Sequence, residues 1–136
     1  MAGEIALPIQ ECPDDIANTI SVIAQSDASG FISNNQVLHY CERETIVDAC
    51  FVRMTVGDDD ATWTLEKCTD GTAPASGTDM SSALTHATSK NNQTSTFTLV
   101  ETENIVPAGS AITMKCTGTS TARFVMFTLR LRTRIR

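Results

Sequence analysis

The sequence predicts an all-β protein, an antiparallel β-sandwich or jelly roll. Three observations favour this class. Threonine, which prefers strands, occurs 20 times in 136 residues. Apolar and polar residues alternate with a period of two in several short runs. Segments rich in Gly, Asn, Asp and Ser separate these runs at short intervals. Runs with strand periodicity do not alternate with runs of helix periodicity, as they would in an α/β protein.

Residues 1–18 are predicted to form an extended N-terminal arm, because Pro8 and Pro13 oppose a helix there. Apolar residues alternate within the arm, so it is suited to lie on a neighbouring surface, and a disordered tail is the alternative. These alternating residues are Ile5, Leu7 and Ile9. Residues 19–136 have the size of one sandwich domain, which can bury a core without metals or disulfides.

The alternating runs define the strands of this domain. In chain order, the predicted strands are 19–25, 36–40, 45–56, 62–66, 96–101, 111–117 and 121–136. The strand at 45–56 is apolar on both faces near its middle, which is typical of a central strand between two layers. Trp63 and Leu65 share one face of the following strand, which places both in the predicted core.

Turn residues predict how these strands are joined. Asp58, Asp59 and Asp60 follow Gly57 and are interpreted as the solvated tip of a hairpin, with a Ca²⁺ site as the weaker alternative. Residues 79–85 are predicted to make one short helical turn, capped by Thr78 or Asp79.

The closing strand, residues 121–136, has the clearest alternation in the chain. Its apolar residues at odd positions are Val125, Phe127, Leu129, Leu131 and Ile135, and its arginines at even positions are Arg130, Arg132, Arg134 and Arg136. One face of this strand should therefore enter the core, while the other is cationic.

Charge is divided unevenly along the chain. The net charge is −6, with −11 on residues 1–122 and +5 on residues 123–136. An acidic body with a basic edge favours contact with a second copy or with another acidic protein, and disfavours direct binding of nucleic acid. The five cysteines, without a secretory signal, are expected to be reduced core residues. No apolar run reaches 18 residues, so no membrane span is expected.

No motif in the sequence points to catalysis, a metal or a cofactor. His39 and His86 lie outside any ligand pattern, and no C-x-x-C pair is present. Ser76 and Gly77 lack the flanking glycine spacing of a nucleophile elbow, and no phosphate-binding glycine loop occurs. The chain is therefore expected not to be an enzyme.

The four even-numbered arginines are the strongest functional signal. Four arginines without a lysine favour planar, paired contacts with carboxylates of another subunit. The alternative is a solvent-facing strand edge that discourages aggregation. The candidate protein interface therefore consists of Arg130, Arg132, Arg134, Arg136, Ile5, Leu7 and Ile9.

Three stretches within residues 45–136 resemble one protein family. They are residues 53–67 around the predicted hairpin, residues 71–84 with Gly77-Thr78-Asp79-Met80, and residues 106–112 before the basic final strand. Together they are similar to the decoration, or cement, proteins of tailed-bacteriophage heads, which have a jelly-roll fold.

The resemblance implies a structural virion protein made in the host cytoplasm. Such a protein would sit on the outer surface of the capsid, usually as a homotrimer, and would stabilise contacts between major capsid proteins. The competing class is a receptor- or glycan-binding β-sandwich of a tail fibre or head fibre. A glycan site usually shows exposed aromatic residues, whereas this chain has one Trp and one Tyr.

Overall fold

The structure is a computed structural model that describes residues 15–26, 30, 32, 35–118 and 120–135. Four of the predicted interface residues lie outside this part of the chain, namely Ile5, Leu7, Ile9 and Arg136. The described residues form nine strands, which are β1 (Asp15–Ile23), β2 (Gln36–Cys41), β3 (Thr45–Val56), β4 (Thr62–Cys68), β5 (Thr78–Asp79), β6 (Thr94–Thr96), β7 (Ile105–Val106), β8 (Ser110–Thr117) and β9 (Arg123–Arg134). Two single 3-10 turns cover Thr88–Lys90 and Glu101–Glu103.

The strands form two antiparallel sheets. The five-stranded sheet has the order β1-β9-β3-β6, with β7 also paired to β3. The four-stranded sheet has the order β2-β8-β4-β5. Strands β1 to β4 alternate between the two sheets, and the closing strands β8 and β9 again fall one in each. This is a jelly-roll arrangement, so the predicted all-β antiparallel sandwich is confirmed.

The core lies between the two sheets and includes four odd-numbered residues of β9. Val125, Phe127, Leu129 and Leu131 are each at most 1% exposed. From the other sheet, Trp63 packs against Phe127 with 5.7 Å between ring centroids and 56° between ring planes. The predicted core position of Trp63 is therefore confirmed, since its side chain is fully buried.

A β-bulge in β3 changes which of its residues face the core. The pairing of β3 with β9 shifts between Val47, opposite Leu131, and Ala49, opposite Arg130. Asp48 is the extra residue and is exposed, whereas Val47 and Cys50 on either side are fully buried. A bulge inserts one residue and so interrupts the alternation. The buried positions of β3 change phase at the bulge, so a single regular alternation places apolar residues on both of its faces.

The cysteines of the described region are free thiols, and most are core residues. Cys41, Cys50 and Cys68 are buried, and Cys116 is half-buried. Burial raises the pKa of the Cys50 thiol to about 12, so this side chain stays protonated and unreactive at neutral pH.

The predicted hairpin between β3 and β4 is wrong. Both strands exist, but β3 belongs to the five-stranded sheet and β4 to the four-stranded one. The turn at 57–61 therefore crosses from one sheet to the other. Gly57 suits this crossing because a Cβ atom there would lie 2.5 Å from the His86 carbonyl oxygen. Turn residues indicate where the chain reverses, but not which strand it pairs with next.

The predicted helical turn at 79–85 is also wrong. The segment is extended, and Met80 N–H donates to the Leu65 carbonyl at 2.7 Å. Trp63 and Leu84 exchange two backbone hydrogen bonds, each of 2.8 Å. Pairing with β4 satisfies these backbone groups and outweighs the local capping signal.

Two strands have bounds that differ from the predicted ones by more than two residues. β1 begins at Asp15, so residues 15–18, assigned to the arm in the sequence analysis, belong to the first strand. The strand expected at 96–101 is the three-residue β6, followed by an isolated bridge between Ser81 and Leu99. Strand ends depend on where a neighbouring strand stops, which alternation does not show.

Candidate interface on the outer face of the five-stranded sheet

The even-numbered residues of β9 face outward from the five-stranded sheet. Arg130, Arg132 and Arg134 form a line along this face, here called the arginine row. Successive members stand about 7 Å apart along the strand. Because β9 lies between β1 and β3, the row runs through the interior of the sheet face. The alternative reading, in which these arginines mark a solvent-facing strand edge, is therefore wrong.

Arg132 is held by the carboxylate of Asp48. Its Nε donates to Asp48 Oδ2 at 2.7 Å and its Nη2 donates to Oδ1 at 2.9 Å, a bidentate arrangement. These hydrogen bonds lower the pKa of Asp48, and the charges of Arg132 and Arg130 add to the lowering. The two partners are 84 positions apart in sequence, and the β3 bulge turns Asp48 outward to meet the guanidinium. Sequence alternation gave no signal for this pair.

The other two arginines also contact β3 or the residues before it. Arg134 Nη1 lies 3.2 Å from Glu44 Oε1. The guanidinium carbon of Arg130 lies 5.5 Å from the centroid of the Phe51 ring, within the range of a cation–π contact. The arginine row thus contacts two carboxylates and one aromatic ring of its own chain.

These contacts hold the arginine row in place. Arg132 and Arg134 each have a carboxylate partner, and Arg130 lies over the Phe51 ring. Exposed ion pairs contribute only about 0–1 kcal/mol each to stability, so the pairs mainly orient the side chains. Oriented planar guanidinium groups lose less conformational entropy when they bind a carboxylate partner.

An exposed aromatic residue at the start of β9 was missed in the sequence analysis. Phe124 is 73% exposed and has a φ of 54°, a conformation that is rare for a bulky residue. It lines a groove of about 280 Å³ together with Ile23, Ile32 and Arg123. A regular alternation of apolar and polar residues does not reveal a left-handed backbone, so the sequence gives no signal for this exposure.

Asp59 and Asp60 of the acidic triplet are exposed, as expected, but the same expectation is wrong for Asp58. Asp58 is only 4% exposed. Its carboxylate accepts hydrogen bonds from the backbone N–H groups of Asp60, Ala61 and Thr121, and from the Thr121 hydroxyl. Burial raises the pKa of this carboxyl, but the hydrogen bonds outweigh burial and hold it at about 2. Asp58 therefore joins the sheet-crossing turn to the segment before β9.

A buried Ser–His pair was also missed in the sequence analysis. His86 Nδ1 lies 2.9 Å from Ser95 Oγ, and Nε2 lies 2.9 Å from the Lys90 carbonyl oxygen. A carbonyl can only accept, so Nε2 carries the proton and Nδ1 accepts from the serine hydroxyl. Burial lowers the pKa of His86, which favours this neutral form. With exposures of 1% and 6%, the pair connects the segment before the first 3-10 turn to β6 and offers a substrate no access.

Within the part of the chain that the structure describes, no group of three His, Cys, Asp or Glu side chains is placed to hold a metal ion. In the same residues, no helix combines the length and apolarity needed to cross a membrane.

No protein-family model matches the sequence, and no curated protein matches it. Among solved structures, the chain is similar to one in the structure of infectious bursal disease virus Gx strain. The TM-score is 0.39 and the sequence identity is 10%, over 90% of this chain and 33% of the viral one. The chain thus spans about a third of the length of the protein that it matches.

Proposed function

We propose that this protein is a structural virion subunit, a capsid decoration or cement protein of a tailed bacteriophage. It binds the outer surface of the head and stabilises contacts between neighbouring major capsid proteins. The observation that carries the proposal is the arginine row, which lies on the outer face of a paired, rigid sheet. The role involves no catalysis, cofactor or direct contact with nucleic acid.

The position of the arginine row suits a flat protein–protein contact. Its strand, β9, has strands on both sides, so the backbone beneath the row does not rearrange easily. Arg132 and Arg134 are already oriented by Asp48 and Glu44. An acidic patch of a major capsid protein would meet guanidinium groups that need little further ordering.

The net charge of the chain favours a protein over nucleic acid as the partner. The chain carries −6 overall, so its long-range field repels the phosphate backbone, while the row supplies a local attraction. A repeating shell presents the same acidic patch many times, and attachment at several points multiplies weak individual contacts. The homotrimer that the resemblance implies stays a prediction.

The alternative, a receptor- or glycan-binding sandwich, has one structural observation in its favour. Tyr40 is 59% exposed and lines a groove of about 330 Å³ with Asn18, His39 and Glu42. An exposed aromatic side chain beside polar groups is a common element of such sites. Binding of soluble glycans that is abolished by Tyr40→Ala, in a chain that does not attach to heads, would favour this alternative.

The double substitution Arg130→Ala with Arg132→Ala is expected to weaken attachment to the head and leave the fold intact. Both side chains lie on the outer sheet face, so the core is unchanged. A charge pair desolvated in an interface costs about 2–5 kcal/mol when one partner is truncated. The measurement is a binding titration on tailed-phage heads assembled without this chain, repeated over a salt series. Attachment of the parent should weaken as salt rises.

The matched control is Asp48→Asn, which removes the carboxylate partner of Arg132 but keeps the arginine. It should bind heads at least as tightly as the parent. If the double arginine variant binds as tightly as the parent at every salt concentration, the row serves only its intrachain contacts. The proposed function would then lose its basis.

A further inference from the structure

One sheet edge differs from all others in the described part of the chain. Edge strands β5, β6 and β7 have only two or three residues each. The edge strand β2 has six residues, and its pairing with β8 is irregular between Val37 and His39. Strand β1 has nine residues, pairs with β9 without any register shift, and has no second partner among the described strands.

Apart from Asp15 at its start, β1 lacks the features that protect edge strands from pairing. Natural edges carry charged residues, prolines or bulges that block the approach of another strand. Residues 16–23 (Ile-Ala-Asn-Thr-Ile-Ser-Val-Ile) contain neither a charge nor a proline. The other described edge strands are either very short or irregular, and both features hinder pairing with a strand of another molecule. β1 has neither feature.

Exposed apolar side chains mark both ends of β1. Ile23 is 70% exposed and Ile16 is 55% exposed. Ile16 lies on the same face of β1 as Ile20 and Val22, and both of these pack against the core. In the pairing with β9, Ile16 is opposite Thr133. A side chain on the core side of a sheet is normally covered, so its exposure indicates a surface that a further strand would complete.

We infer that β1 pairs antiparallel with β1 of a second copy of this chain, across a twofold axis at Thr19. Thr19 is the middle residue of the strand, so this register alone pairs all nine residues. Ile16 then lies opposite Val22 of the second copy, and Ala17 opposite Ser21. An isologous contact of this kind closes after two copies and does not propagate.

A second copy fits this edge better than an unrelated strand. It brings an edge of the same nine residues, which likewise has no second partner among the described strands, so the backbone groups of the two strands match. The one charge in each strand, Asp15, lies opposite Ile23 of the other copy and meets no like charge. No like charges meet within residues 16–23, and Ile16 gains an apolar cross-strand neighbour at both ends of the contact. Apolar β-branched pairs of this type stabilise antiparallel strands.

The contact has a consequence for the arginine row. Residues directly opposite in an antiparallel pair point to the same side of the sheet. The two five-stranded sheets therefore merge into one continuous sheet, with both arginine rows on the same face. The dimer contact depends only on β1 and stands whether or not this face binds a capsid.

The register is tested by disulfide formation between Thr19→Cys chains under mild oxidation. A disulfide needs Cα atoms about 4.4–6.8 Å apart, which directly opposed strand residues satisfy. The matched control is Ser21→Cys, because the two copies of residue 21 lie about 13 Å apart along the strands in this register. The parent chain, with its own five cysteines, sets the background.

Thr19→Cys should form covalent dimers at least about fivefold more efficiently than Ser21→Cys, because only its pair meets the distance requirement. Equal yields for the two variants would overturn the register. Sedimentation of the parent at micromolar concentration should show a species of twice the chain mass of 14.6 kDa. A monomer would overturn the twofold contact, and a threefold species would overturn it in favour of the homotrimer that the resemblance implies.

Ile16→Lys should convert the dimer to monomer, since it places a charge opposite Val22 of the second copy. Val37→Lys is the control, because it also replaces an exposed apolar residue, but on the irregular edge strand β2. It should leave the dimer unchanged. Circular dichroism of both variants confirms that folding is intact, and a folded Ile16→Lys chain that remains dimeric would contradict the inference. None of these measurements involves phage heads, so they can fail independently of the proposed function.

Discussion

Replacing Phe127 by alanine is expected to lower the free energy of unfolding by about 3–5 kcal/mol. Phe127 is fully buried on β9, and its ring packs against Trp63 of the opposite sheet. The substitution removes apolar contacts and leaves a cavity that two paired sheets cannot easily close. Urea denaturation followed by Trp63 fluorescence measures the loss, because the only tryptophan of the chain lies beside the substituted ring.

Phe124→Ala provides a matched control for this prediction. It makes the same chemical change on the same strand, but Phe124 is 73% exposed. Surface substitutions of this kind usually change stability by no more than about 0.5 kcal/mol. If the two variants lost equal stability, the core would not be organised around β9 as the structure shows.

Replacing Asp58 by asparagine is expected to destabilise the fold, because its carboxylate is buried and accepts hydrogen bonds from four donors. The amide keeps one acceptor oxygen, but its NH₂ group would face N–H or O–H donors that now bind a carboxylate. A buried donor left without a partner costs about 1–3 kcal/mol. The same urea titration at pH 7 measures this loss.

The Asp58 prediction includes a specific pH dependence. The folded-state pKa of Asp58 is about 2, below the ordinary value of 3.8. The unfolded chain therefore binds the proton more readily, and stability rises with pH across this interval. The stabilisation, about 2 kcal/mol, is present above pH 4 and is lost as the pH falls through about 4 towards 2.

Asp58→Asn should lack this component of the acid-induced loss, whereas Asp60→Asn should retain it. Asp60 stands in the same turn but is exposed, which makes it the matched charge-removal control. Parallel stability curves for the parent and Asp58→Asn between about pH 5 and pH 2 would show that the carboxylate of Asp58 is not the group that the fold depends on.

Local alternation was sufficient to predict the strands that span the core. β3 was predicted at its observed bounds, Thr45–Val56. Val125, Phe127, Leu129 and Leu131 are buried and Arg130, Arg132 and Arg134 face outward, as the period of two predicts. Ile135, expected in the same buried set, lies beyond the end of β9 and is 37% exposed. Alternation is a property of each strand by itself, since neighbouring side chains point to opposite faces whatever the partner strand is.

Only the tertiary structure decided which strands pair and where polar groups are buried. The sequence alone did not place β3 and β4 in different sheets, and it did not reveal the bulge that turns Asp48 towards Arg132, 84 positions away. Asp58 has the composition of a solvent-exposed turn, yet it is buried because Thr121, 63 positions away, donates to it. Such contacts depend on the register and stacking of distant strands, and a residue's near neighbours in sequence carry no information about either.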